Sequence, residues 1–112
     1  VLKLNKVALA CLTAIMTSLP VGSAALAADS NYSQGVQAYG KGDYAHASRY
    51  FEEALKSRTN DPLLWYYAAL SLHQMKNWPL ARQRYKTLAL SFPNTDAGKR
   101  AVEALRLLEP FS

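Results

Sequence analysis

The chain repeats itself at an interval of about 34 residues, and that period limits its fold more than any other feature. Displaced by this step, nine positions coincide in size class or polarity. They are Tyr32 with Tyr66, Gly35 with Ala69, Val36 with Leu70, Ala38 with Leu72, Asp43 with Asn77, Tyr44 with Trp78, Ala47 with Ala81, Phe51 with Tyr85 and Ala54 with Leu88. A unit of this length is one supersecondary element. It cannot bury its apolar face alone, so neighbouring units must stack. The total of 112 residues suits a single domain, and 50% apolar with 19% charged residues suits a globular one.

Within each unit the apolar spacing is helical. Tyr44, Ala47, Phe51, Ala54 and Leu55 form one stripe, and Leu64, Trp65, Ala68, Ala69 and Leu72 form the next. Ala81, Tyr85, Leu88, Ala89 and Phe92 follow, then Ala97, Ala101, Ala104, Leu105 and Leu108. Asp43, Asn60-Asp61-Pro62 and Asn77 supply helix starts, with proline in a first turn where its missing N–H does little harm. Pro93-Asn94 and Pro110 supply stops. No window alternates as a strand does. The spacing predicts five helices, at about 29–41, 43–58, 62–75, 78–92 and 95–108.

Residues 1–27 read as a secretory signal peptide. Lys3 and Lys6 form a positive start, Val7 to Met16 an apolar run, and Pro20 with Gly22 a break. Ala25-Leu26-Ala27 supplies the small-residue motif for cleavage after Ala27, with Ala28 as the alternative. The uncharged stretch from Val7 to Ala28 is also long enough for a retained membrane anchor, for which about 20 residues are needed. Cleavage after Ala27 removes Cys11, the one cysteine, together with Lys3 and Lys6, and leaves a modest excess of basic over acidic side chains.

These residues resemble the tetratricopeptide repeat family, whose unit is a helix–turn–helix of about 34 residues. The resemblance covers Ala28 to about Pro93 and departs from the family pattern at Asn31 and Thr59. It implies an all-α fold: a short α-solenoid of two such units, 28–61 and 62–95, followed by a capping helix and tail at 96–112. Packing between helices is then expected from Gly35, Ala47, Phe51, Ala54, Trp65, Ala69, Ala81, Tyr85 and Pro93. The outer face of the cap is expected from Lys99, Arg100, Glu103 and Arg106. In this family the first helix of each unit lines a concave groove. The matching positions are Tyr32, Val36, Tyr39, Leu63, Tyr66, Leu70 and His73, a row that is either partner-binding groove or core. On this reading Tyr32, Val36 and Tyr39 are exposed on an unguarded first helix. The groove lacks the family's carboxylate-clamp residues. The stretch from Phe92 to Leu105 also resembles the closing region of bacterial envelope repeat proteins.

Charge is unevenly placed. Residues 28–61 carry a net −1, whereas 62–95 carry Lys76, Arg82, Arg84 and Lys86 with no acid. Lys76, Arg82 and Lys86 form a candidate basic patch that would steer an acidic partner, or else a solvated face. No phosphate-binding loop or nucleophile elbow is present. Neither His46 nor His73 has a second metal ligand three or four residues further along the chain. The expectation is a non-enzymatic, exported, periplasmic or secreted module for protein–protein interaction. No cofactor, metal or nucleic-acid partner is predicted. The alternative is a scaffold that self-associates as a homo-oligomer, or is tethered to a membrane if the N-terminal segment is uncleaved.

Overall fold

The computed structural model describes residues 20–109 of the chain. They form five helices: α1 (Pro20–Gly40), α2 (Tyr44–Leu55), α3 (Pro62–Gln74), α4 (Trp78–Ser91) and α5 (Asp96–Leu108). The described residues contain no strand, and the fold is all-α. Each helix packs most closely on its chain neighbour. Lighter contacts join α1 to α3 and α3 to α5.

The backbone keeps the step of the sequence repeat. α1, α3 and α5 end at Gly40, Gln74 and Leu108, while α2 and α4 begin at Tyr44 and Trp78. The two turns inside the hairpins have the same construction. Gly42 N–H donates to Tyr39 O (3.0 Å) and Asp43 N–H to Ala38 O (2.9 Å); Lys76 N–H donates to His73 O (2.9 Å) and Asn77 N–H to Leu72 O (3.0 Å). This is the Schellman closure, which places one residue in the left-handed region. Gly42 takes φ +79° at no steric cost, and Lys76 takes φ +61° against the preference of its Cβ. Lys76 therefore stands where the first hairpin has glycine, and its position is a turn position.

Side chains cap three of the helices. Asp43 Oδ1 accepts from His46 N–H (3.3 Å), Asp61 Oδ1 from Leu63 and Leu64 N–H (3.1 and 3.3 Å), and Thr95 Oγ1 from Gly98 N–H (3.0 Å). Asn77 occupies the N-cap of α4 but makes no side-chain cap bond.

The first helix departs from expectation. Within the described residues it runs from Pro20, where the spacing places a break, unbroken through Ala27 and Ala28. Leu26 and Ala27 are exposed, Ala28 is buried, and Asp29 forms an ion pair with Arg58. Lys3, Lys6, Cys11 and the apolar run lie outside the described residues.

The core has two halves in register. One joins Ala47, Phe51, Ala54, Leu55, Leu64 and Ala68. The other joins Ala69, Leu72, Ala81, Tyr85, Leu88, Ala101 and Leu108. Trp65 packs against both. Gly35 is small by necessity: a Cβ there would lie 2.6 Å from the Phe51 ring. Of the predicted packing residues, Pro93 alone is exposed. It ends α4 without packing between helices.

Gly98 is tighter still, since a Cβ would lie 1.9 Å from the Phe92 carbonyl oxygen. Gly98→Ala is expected to lower stability by about 1–3 kcal/mol, at the upper end because backbone stands in the way. Lys76→Gly is expected to raise it by about 0.5–1 kcal/mol by relieving the left-handed residue. Urea unfolding of the two variants beside the parent checks both signs.

Candidate partner-binding site

The predicted row divides into a closed half and an open half. Tyr32 and Tyr39 of α1 are half-buried, and both meet Tyr67 of α3 edge-on at 6.1 and 6.0 Å between ring centres. Tyr32 also meets Phe51, and Tyr39 meets Tyr44 (6.1 and 5.1 Å). Burial raises both hydroxyls above the usual tyrosine range. Arg58 lies over the Tyr32 ring at 5.7 Å. The expectation that these tyrosines stand exposed on an unguarded helix is therefore corrected: they fill the space between α1 and α3. Val36, at 37% exposure, is the member of the α1 row that stays open.

The open half lies between α3 and α5. A cleft of about 440 Å³ is lined by Leu63, Tyr66, Tyr67 and Leu70 from α3, and by Asp96, Ala97 and Arg100 from α5. It adjoins a lobe of about 270 Å³ where Tyr66, Leu70 and Arg100 recur beside His73, Glu103, Ala104 and Leu107. Sequence reasoning places Arg100 and Glu103 on the outer side of α5; both face this groove. The signal is present in the repeat. Carrying Leu63, Tyr66, Leu70 and His73 forward by one repeat gives Ala97, Arg100, Ala104 and Leu107, all of which line it. Leu63 and Leu107 form exposed apolar shoulders at 48% and 63%.

The ring contacts of the two halves differ at one position. Tyr67 stacks on Phe51 at 5.5 Å and fills the gap between α1 and α3. Its counterpart one repeat later is Ala101, buried in the second half of the core. The remaining ring contacts repeat in register: Tyr66 with Tyr85 at 6.4 Å and His73 with Trp78 at 5.6 Å.

His73 and Tyr85 form the polar floor of the smaller lobe. Their Nδ1 and hydroxyl lie 2.9 Å apart. Burial holds the imidazole below its usual range and pushes the tyrosine hydroxyl up. Both groups are thus neutral near pH 7, and the hydroxyl and the ring nitrogen share one hydrogen bond.

The basic patch does not form as one surface. Arg82 and Lys86 line a separate cleft between α4 and α5, whereas Lys76 belongs to the turn after α3. Arg84 is turned inward and bonds Glu52 through two nitrogens, at 2.9 and 2.6 Å. A further hollow of about 290 Å³ between α1 and α2 is lined mostly by polar side chains, including the capping Asp43 and its partner His46. Among the described residues no group of three or more His, Cys, Asp or Glu could hold a metal ion. No described helix is long and apolar enough to cross a membrane. Neither protein-family models nor curated proteins give a match to this chain.

Because the folded state disfavours protonated His73, the unfolded state binds the extra proton more readily. Stability from this group is complete above about pH 6.5 and is lost as pH falls through the lowered folded value. Melting temperature is expected to drop between pH 7.5 and 5.5 and to flatten in His73→Gln, which keeps an acceptor for Tyr85. Thermal scans across that range decide it.

Proposed function

We propose that this chain is an exported, non-catalytic repeat protein of the tetratricopeptide type that binds a segment of another protein in the groove between α3 and α5. The observation that carries the reading is the groove's make-up: apolar shoulders at Leu63 and Leu107, the Tyr66 and Leu70 wall, and a single cation, Arg100, flanked by Asp96 and Glu103. Recognition grooves have this form, with aromatic and aliphatic anchors inside and polar groups at the edge. A bound segment would bury its apolar side chains against Tyr66 and Leu70 and align its polar groups on Arg100 and Glu103.

The repeat reading is supported by the common step of helix ends, turns and ring contacts. The exported, envelope setting rests on the pattern of residues 1–28. Cleavage after Ala27 suits the packing, because it retains buried Ala28 and the Asp29–Arg58 pair. Cleavage after Ala28 would discard the former.

Leu63→Glu and Leu107→Glu test the groove, since both side chains are exposed and the fold should tolerate the change. Each is expected to weaken capture of the partner from an envelope extract by about tenfold or more, with helicity unchanged by circular dichroism. Undiminished recovery with both variants would overturn the reading.

A further inference from the structure

The repeat provides an internal control for the outer end of the stack. Inside the molecule, α4 rests on a seat made by α2 and α3. Ala68, Ser71 and Leu72 of that seat are all buried, and Arg84 of α4 reaches across to the Glu52 carboxylate and lies 6.0 Å over the Trp65 ring. One repeat further on, Ala68, Ser71, Leu72, Glu52 and Trp65 become Val102, Leu105, Arg106, Lys86 and Lys99. Val102, Leu105, Arg106 and Lys86 line the cleft of about 450 Å³ between α4 and α5. It is the same seat at the next level of the stack, and no described helix covers it. Val102 is 58% exposed where Ala68 is fully buried.

Two observations indicate what the seat takes. The charge at its edge is reversed: where the inner seat offers Glu52 and Trp65 to an arginine, the outer one offers Lys86 and Lys99. And Arg82, which lines the cleft, has its Nη2 buried with no hydrogen-bond partner. A buried guanidinium nitrogen left unbonded is costly, and an incoming carboxylate is the acceptor that relieves it once the side chain turns.

We infer that the α4–α5 cleft is the docking seat for an amphipathic helix of a partner protein, one that places a carboxylate against Lys86 and Lys99 and lays its apolar face on Val102 and Leu105. The chain's own helices of matching register do not meet that requirement. α4 carries Arg84 at the pairing position and α2 carries Tyr50, so a second copy seated this way would set like charges together or leave the lysines unpaired. This inference is independent of the groove between α3 and α5.

The test uses the full chain and two fluorescent synthetic peptides of residues 77–92, one with native Arg84 and one with Arg84→Glu, read by anisotropy. The Arg84→Glu peptide is expected to bind about tenfold more tightly, the sum of one repulsion removed and one attraction gained. Lys86→Glu in the protein should reverse that preference, and Val102→Asp should abolish binding of both peptides. Lys86 and Val102 are exposed, so helicity and melting temperature of these variants are expected to match the parent. Equal affinities for the two peptides, or full binding by Val102→Asp, would overturn the inference. So would a dimer of the chain alone that Val102→Asp dissolves, which assigns the seat to a second copy. A rise in peptide affinity on deleting residues 110–112 would assign it to the chain's own tail.

Discussion

The fold depends on a large ring meeting a small residue, twice, at one interval. Phe51 is fully buried and comes so close to α1 that Gly35 has no room for a Cβ. Tyr85 is fully buried one repeat later, in the same cluster as Ala69. Burying one such ring is worth about 1.5–3 kcal/mol, and emptying its site would cost about 3–5 kcal/mol. The ion pairs contribute less. Most lie on exposed surface, where water and salt screen them. The Glu52–Arg84 bond is the best formed of them and, together with Trp65, links the two hairpins. It positions α4 more than it holds it. Side-chain size at Gly35 and Ala69 therefore sets how closely the helices approach, and the charges adjust what packing has fixed.

Binding surfaces arise in such a stack where the repeat is imperfect. Between α1 and α3 the aromatic set is complete, because Tyr67 joins Tyr32, Tyr39 and Phe51 in one cluster. Between α3 and α5 the same frame holds Tyr66, His73 and Tyr85 around Ala101, and a cleft remains. Polar groups gather at that place. A histidine in the position of Tyr39 meets the Tyr85 hydroxyl through Nδ1, and Arg100 in the position of Tyr66 supplies charge at the rim.

Much of the architecture is legible in the sequence. Helix starts at 44, 62 and 78 follow from capping residues and prolines that act over a single turn, and periodicity of apolar residues locates the core. The groove is harder. Tyr32, Tyr39 and Tyr66 share a helical spacing, yet the first two pack against Tyr67 and the third lines a cleft. Spacing along one helix does not report what stands opposite. The role of α5 escapes the sequence reading because its composition changes: alanines and charges replace the aromatics of α3, although the register continues through Ala97, Arg100, Ala104 and Leu107.

Repetition of a frame with substitution of its contents also explains how one short chain can present two unlike surfaces. The groove between α3 and α5 is apolar with a slightly acidic rim, since Arg100 stands between Asp96 and Glu103. The cleft between α4 and α5 has basic residues on both walls, with Glu109 at its edge. Both are made from α5, whose residues alternate between the two neighbours with the helical period: Ala97, Arg100, Ala104 and Leu107 toward α3, and Val102, Leu105, Arg106 and Glu109 toward the α4 cleft. A rigid helix shared by two surfaces joins them mechanically, because tilting α5 to widen one changes the other. The Gly98–Phe92 contact limits that tilt at the start of the helix, where backbone meets backbone and nothing can yield.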